Sequence, residues 1–474
     1  MSALAWPSLY LVLDATEWAI RLVMLVYVPQ RRSAAAARTW LLLIFLLPIP
    51  GLLIYAAIGR IRMPAERLAR QRRVSGMIRD WQRDHPVAPP ADPRTAHLAQ
   101  LVHSLGDFRA LEGNAVELLP DYAASIDRLA ADIDAATRSV HLLFYIFADD
   151  DHGGRVVAAL LRARARGVEC RVLVDAVGSR KFRLGQLLAR LQAAGIPARE
   201  ALPAGLFRRG AARFDLRNHR KIAVIDDRVA YTGSQNLVNP VFVPGFPNAE
   251  LVARVAGPVV LQMQAVFLED WYFETGELPP APEEIAMPAR AGTMRAQLLP
   301  SGPGYERENA QELLVHLFHR AERQIVITTP YFVPDEPFLQ ALRTAVRRGV
   351  EVRLIVANPV DRWLMGLAQR SYFDELLEAG VRIHLYRPHF LHAKHVSIDD
   401  DLAIVGSVNM DIRSFALNAE VALLVYDAAV VRALEAVQAR YLADAIALTP
   451  EEWARRPWWV RVAQNTARLA DSLL

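Results

Sequence analysis

Two copies of one spaced pattern constrain this 474-residue chain more than any other feature. The first reads His219-Arg-Lys221, four residues, Asp226, six residues, Gly233-Ser234-Gln-Asn236. The second reads His392-Ala-Lys394, four residues, Asp399, six residues, Gly406-Ser407-Val-Asn409. Each copy closes a series of further matches in the same order. RSVHLLFYIF at 138–147 answers RQIVITTPYF at 323–332, and GVECRVLVD at 167–175 answers GVEVRLIVA at 349–357. AAGIPARE around Gly195 answers EAGVRIHLY around Gly380. The common order is strand, helix, strand, helix, strand, then the histidine motif, so the chain is an internal duplication. Short β-branched apolar runs alternating with helix-patterned stretches place it in the α/β class.

The chemistry follows from residue type and spacing. HRKIAVID and HAKHVSID have strand composition, and residues two apart on a strand share a face. His219 and Lys221 therefore point together, as do His392 and Lys394. Asp226 and Asp399 have the opposite parity, which makes them turn residues, or residues that support the site from behind, and in either case they fix the strand end. Asn236 and Asn409 return an amide donor beside each lysine. The lysines stand out because the chain has only three, Lys181, Lys221 and Lys394, and every other basic residue is arginine. Two histidines, two lysines and two asparagines suit a phosphodiester. Lysine and amide donors stabilise charge on the non-bridging oxygens. One neutral imidazole attacks phosphorus to form a phosphohistidine, and the other, protonated, donates to the leaving alcohol. The lysines supply the positive charge that a metal ion would otherwise bring, so no cofactor is expected. The string HFLHAKH (His389, His392, His395) spreads over both faces of a strand, which argues against a metal site. Each half also carries Asn-Ala-Glu downstream, ending at Glu250 and Glu420; a carboxylate on the distal ring nitrogen would set the tautomer and stabilise an imidazolium.

Composition narrows the class further. With 53% hydrophobic and 22% charged residues the chain is not disordered, and Cys170 as sole cysteine excludes a disulfide framework. A net charge of +4 is small for a dedicated nucleic-acid binder. From Thr39 to Ile58 there are twenty residues without a charge, the length that matches a bilayer core. Pro48, Pro50 and Gly51 interrupt it, which predicts a kinked or re-entrant hairpin with both ends cytoplasmic. The stretch Leu4–Val28 carries Asp14, Glu17 and Arg21 and is a second packed or interfacial helix. Arg31, Arg32 and Arg38 precede the strong run, and Arg60, Arg62, Arg67, Arg70, Arg72 and Arg73 follow it. This distribution places the bulk of the chain in the cytoplasm, with the arginines of the following segment against anionic lipid. Trp458 and Trp459 beside arginines suit either an interfacial anchor or a core position.

At these residues the chain resembles the phospholipase D superfamily, marked by a doubled HxKxxxxDxxxxxxGSxN, and within it the bacterial cardiolipin synthases. The supporting strings are WLLLIFLLPIPGLLIYAAIGR, GNAVELL, FYIFADD, TPYFVPDE and DIRSFALNAE. The resemblance implies two αβα sandwich halves that share one active site, behind an N-terminal membrane helical segment. The expected divisions are 1–60 for that segment, 61–105 for a basic interfacial helix and linker, 106–290 and 291–474 for the halves. The implied catalytic pattern covers His219, Lys221, Asp226, His392, Lys394 and Asp399, with Ser234, Asn236, Ser407 and Asn409 alongside. The implied reaction passes a phosphatidyl group between two phosphatidylglycerol molecules at the bacterial inner membrane, its partners being anionic phospholipids and the bilayer, without nucleic acid. A phospholipase-type hydrolase, transfer to another alcohol, a nuclease of the superfamily and a non-enzymatic lipid-binding scaffold are the alternatives. NLVNPVFVPGFPNAE at 236–250 departs from its counterpart in the second half, which bears on acceptor choice.

Overall fold

In a computed structural model of the chain, residues 5–32, 34–59, 63–203, 215–278, 287–305 and 308–469 are described. Arg60 and Arg62 of the basic flank lie outside them. The helices α1 (Ala5–Tyr27), α2 (Ala34–Leu46), α3 (Pro48–Ile58), α4 (Ala65–Asp84) and α5 (Pro93–Gly106) come first. The first half runs β1 (Leu111–Leu119), α6 (Tyr122–Asp134), β2 (Ser139–Phe144), α7 (Gly153–Ala165), β3 (Glu169–Asp175), α8 (Leu184–Ala193), β4 (Ala198–Ala201), β5 (Lys221–Ile225), β6 (Val229–Gly233), β7 (Asn248–Ala249), β8 (Val252–Ala256) and α9 (Val260–Thr275). The second half opens with β9 (Met294–Ser301), α10 (Asn309–Arg320), β10 (Gln324–Thr329), β11 (Phe332–Val333), α11 (Glu336–Arg347), β12 (Glu351–Ala357), α12 (Trp363–Ser371), α13 (Phe373–Ala379) and β13 (Arg382–Tyr386). It continues through β14 (Phe390–Leu391), β15 (His395–Ile398), β16 (Leu402–Gly406), β17 (Met410–Asp411), α14 (Ile412–Ala416), β18 (Glu420–Val425) and α15 (Ala428–Ala443). The chain then forms β19 (Ala445–Leu448), α16 (Pro450–Ala454) and α17 (Trp458–Arg468).

The duplication is visible in the strand order. One 15-stranded sheet reads β19-β13-β12-β10-β15-β16-β18-β9-β1-β8-β6-β5-β2-β3-β4. Outward from the β9–β1 junction, each half repeats the same sequence of strand roles, and β19 is added at the outer edge of the second. Within each half three strands are parallel, β2-β3-β4 and β10-β12-β13, and the histidine-motif strands β5 and β15 join them antiparallel. Strands buried on both faces read as continuous apolar runs, and VHLLF in β2 and IVITT in β10 are entirely buried. Helix starts are set by side-chain caps: Asp121, Asp335 and Asp427 accept from backbone N–H groups of α6, α11 and α15, each contribution being about 1 kcal/mol.

One core cluster crosses between the halves, joining Leu143, Ile222 and Val224 with Val326, Ala403 and Val421 around α9. Helix α9 is buried nearly all round, including Glu269 and Asp270. A helix hydrophobic on one stripe alone would not tolerate that position; this one lies between packed layers.

The N-terminal segment departs from a single span. Leu47 divides the uncharged run into α2 and α3, of 13 and 11 residues. Pro48 opens α3 at the first helical turn, where its missing N–H costs nothing and its ring stops α2 from continuing. The two helices pack closely, so that a Cβ on Gly51 would lie 2.9 Å from the Ile44 Cα. Trp40, Ile44, Tyr55 and Val28 form a small core of their own. Among the described residues no helix is long and apolar enough to cross a membrane. The expectation of lipid contact is corrected for two arginines of α4. Arg67 pairs with Glu274 at 2.5 Å and is buried, and Arg70 donates to the carbonyls of Tyr272 and Phe273, so both hold α4 against α9. Arg72 and Arg73 are exposed. Trp458 and Trp459 are 76% and 61% exposed, which removes the core reading of this pair.

Candidate active site

The two motifs come together across the halves. His219 and His392 line one cavity of about 830 Å³ with Asn236 and Asn409. The regular strands begin later than the sequence suggests, at Lys221 and His395, so each histidine sits just before its strand. There the backbone pairs with the opposite half. His219 N donates to Ala419 O at 2.8 Å, and His392 N donates to Ala249 O at 2.8 Å. The recurring Asn-Ala-Glu strings are thus short strand partners of the histidine segments, each serving the other copy's motif.

That pairing places the carboxylates. His219 Nδ1 lies 2.9 Å from Glu420 Oε2, and His392 Nδ1 lies 2.7 Å from Glu250 Oε1. Ser414 donates to Glu420 at 2.9 Å. Both imidazoles are tilted edge-on against aromatic rings, Tyr145 on His219 at 4.8 Å and Phe242 on His392 at 5.3 Å. With Nδ1 engaged, Nε2 of each ring is the atom left for the cavity.

The other motif residues divide into two groups. Lys221 and Lys394 are buried beneath the histidines, their Nζ atoms donating to the carbonyls of His219 at 2.6 Å and His392 at 2.5 Å. Ser234 and Ser407 tie the motif ends to the carboxylate strands: Leu251 N donates to Ser234 Oγ and Val421 N to Ser407 Oγ, each at 3.0 Å. Gly233 and Gly406 are required there, because a Cβ would lie 2.3 Å from Leu251 O and 2.2 Å from Val421 O. Asn236 Oδ1 accepts from Ile146 N at 3.1 Å, which orients its amide. Asp226 and Asp399 are not in the cavity. Asp226 accepts from the N–H groups of Thr137, Arg138 and Ser139, and Asp399 accepts from those of Glu322, Arg323 and Gln324. The family pattern that groups them with the catalytic residues is corrected by this placement: they cap the loops leading into β2 and β10. His389, His392 and His395 do not converge; His389 meets Tyr386, and His395 meets Gln438 inside the core.

The chemistry of this pair of linked half-sites has counterparts. A family model described as "Cardiolipin synthase, PLD-like domain" matches residues 129–271 and 314–441, one match in each half. The cardiolipin synthase A of Proteus mirabilis (strain HI4320) is 35% identical over 456 residues, 94% of both chains. The chain belongs to the cardiolipin synthase family. A second relative, the cardiolipin synthase A of Pectobacterium carotovorum subsp. carotovorum (strain PC1), is 36% identical over 457 residues, again 94% of both chains. The crystal structure of a phosphatidylserine synthase from Haemophilus influenzae Rd KW20 shares the fold, with a TM-score of 0.62 at 16% identity over 80% of this chain and 100% of that one.

In this cardiolipin synthase-family site, burial sets the protonation states. It pushes Lys221 down to about 7 and Lys394 down to about 8, against the pull of Glu420 and Glu250. Burial and the neighbouring lysines hold His219 well below the usual imidazole value, and burial also lowers His392. The two carboxyls then part company. Burial drives Glu420 up to about 7, whereas for Glu250 the charge and hydrogen bond of His392 and the charge of Lys394 overcome burial and hold it below the carboxylate range. Sequence reasoning missed several wall residues: Tyr145, Phe242, Arg180, Arg362 and Arg413. The third lysine, Lys181, lines this cavity directly, whereas Lys221 and Lys394 lie beneath the histidines.

Proposed function

We propose that the chain is a cardiolipin synthase that passes a phosphatidyl group from one phosphatidylglycerol to another at a membrane surface, releasing glycerol. What carries this reading is the single cavity shared by His219 and His392, each imidazole held by a buried carboxylate from the opposite half. His219 is the nucleophile in this reading, because burial and the two lysines hold it well below the usual imidazole value, whereas at His392 the charge and hydrogen bond of Glu250 oppose the lowering by burial. Its Nε2 attacks the donor phosphorus, a P–N bond forms, and the P–O bond to the glycerol headgroup breaks. His392, beside the carboxylate held ionised at Glu250, gives its proton to the departing glycerol oxygen. A headgroup hydroxyl of the second phosphatidylglycerol then attacks the phosphohistidine and returns its proton to His392. The P–N bond breaks, and both imidazoles return to their starting states. Lys221, Lys394, Asn236 and Asn409 neutralise charge on the non-bridging oxygens.

Transfer rather than hydrolysis needs lipid alcohol in excess of water at the phosphohistidine. The outer surface of α1–α3 is apolar, with Leu46 70% and Leu53 65% exposed, and together with Trp458 and Trp459 it supports attachment to one leaflet. The short α2–α3 pair fits a re-entrant hairpin, and the arginine flanks favour the cytoplasmic face of the inner membrane. The test is incubation of purified protein with labelled phosphatidylglycerol as sole lipid. Cardiolipin plus free glycerol is the expected product pair; phosphatidic acid alone would make the protein a hydrolase.

A further inference from the structure

We infer that the turn Arg180–Arg183 in the first half is a second phosphate site, which holds the phosphodiester of the acceptor lipid while its hydroxyl attacks. This rests on the phosphatidyl-transfer reading above and names the acceptor that the site selects. Cardiolipin carries two phosphodiesters joined through one glycerol. The phosphorus that reacts is met by the two histidines and their lysines. The acceptor brings a second anion into the same cavity, and that anion needs its own counter-charge.

The turn after β3 supplies it. Arg180 and Lys181 line the reaction cavity. Arg180 and Arg183, with Glu200, also line an adjoining cavity of about 520 Å³ that meets the first at Val177 and Arg180. Among the described residues Arg180 and Lys181 have no ion-pair partner; the Lys181 ammonium rests only over its neighbour Phe182. In a chain where most arginines meet a carboxylate or carbonyl, that leaves open cations facing a cavity.

The turn is also fixed relative to the reacting histidine. The buried Asp175 carboxylate accepts from Val177 N and Gly178 N on one side, at 2.9 and 2.8 Å, and from Asn218 N on the other, at 2.9 Å. Asn218 precedes His219. Ser179 Oγ donates to Tyr145 O at 3.0 Å, and the Tyr145 ring packs on His219. One carboxylate and one hydroxyl therefore lock the cationic turn to the nucleophile, as a subsite needs. The corresponding turn after β12 reads Asn-Pro-Val-Asp361-Arg362, where Asp361 accepts from Tyr331 at 2.7 Å and offsets the one arginine. The duplication is thus broken in charge at this place, giving one anion-binding flank and one nearly neutral flank. Two lipids that enter the same site in different roles require that asymmetry.

Arg180→Gln/Lys181→Gln tests the assignment, with labelled phosphatidylglycerol dispersed at low mole fraction in neutral detergent micelles so that anionic surface charge is diluted. Both side chains are exposed, and an unchanged Tm verifies the fold. The expected result is a fall of at least tenfold in the ratio of cardiolipin to phosphatidic acid, with Lys181→Arg close to the parent protein. A ratio that stays constant, whether both products fall together or neither falls, would overturn the subsite. So would a loss seen only on pure phosphatidylglycerol vesicles, which would make the turn a bilayer contact. A parent protein that yields no cardiolipin at all would instead defeat the transferase reading itself.

Discussion

His219 Nδ1 and Glu420 Oε2 meet at 2.9 Å although 201 residues separate them, and His392 and Glu250 repeat the contact in the opposite sense. Neither half of the chain owns a complete acid–base pair. Each half lends its carboxylate to the other's imidazole, so the chemistry depends on the interface between the copies as much as on either motif. Glu420→Gln and Glu250→Gln keep the side-chain shape and remove the charge. Each is expected to lower kcat by about a hundredfold or more, with KM for phosphatidylglycerol changed far less. Steady-state kinetics on folded variants is the check, and a loss confined to KM would contradict the assigned roles.

Asp226 should behave differently. It stabilises the loop before β2 by accepting three backbone N–H groups and the Thr137 hydroxyl. Asp226→Asn turns an acceptor oxygen into a donor facing those N–H groups and is expected to destabilise the fold by about 2–3 kcal/mol. Urea unfolding measures this, while kcat per folded molecule stays within a few-fold. The backbone hydrogen bonds outweigh burial and hold Asp226 below the usual carboxylate value. Its stabilisation is therefore present above the unfolded-state value and is lost as pH falls through the folded one, so the variant should flatten the acid side of the stability curve.

The pH dependence of catalysis follows from the lysines. Burial lowers Lys221 to about 7 and Lys394 to about 8, so the free enzyme loses positive charge at the phosphate as pH rises through 7 to 8. The alkaline limb of kcat/KM is expected in that window, far below the value of a solvated lysine. The sign for stability is opposite. Between the folded and unfolded lysine values the unfolded chain binds more protons, so these two groups make the fold more stable as pH rises there. A kcat/KM profile flat to pH 10 would contradict the buried-lysine electrostatics.

Membrane attachment is expected to depend on the apolar outer faces of α2 and α3. Leu46→Glu/Leu53→Glu alters two exposed positions outside the small N-terminal core. Vesicle flotation should show binding to phosphatidylglycerol membranes reduced at least tenfold, with turnover in detergent micelles retained. Undiminished flotation would remove these helices as the anchor.

Much of this was legible in the chain and some was not, for physical reasons. The duplication and the α/β class follow from repeated strings, because strand and helix periods leave their mark locally. The placement of Asp226 and Asp399 away from the cavity agrees with strand parity rather than with their membership of the repeated motif. The reciprocal exchange of Glu250 and Glu420 had only a faint signal, the recurrence of Asn-Ala-Glu. Which histidine each carboxylate serves is a property of how the halves dock, and no local spacing records that. The wall residues Tyr145 and Phe242 read as ordinary apolar sequence, since only the folded turn brings them to the imidazoles. The division of residues 39–58 at Leu47 was signalled by Pro48, whereas the use of Arg67 and Arg70 against α9 depends on a tertiary contact.

The most direct measurement is isolation of the covalent intermediate. Protein mixed with phosphatidylglycerol labelled at phosphorus, quenched in alkaline denaturant and digested, should carry the label on one peptide, as phosphohistidine at His219. The label should vanish in His219→Ala. Label on a serine, on both histidine peptides in equal amount, or still present in His219→Ala would contradict a single phosphorus shared by two unlike imidazoles.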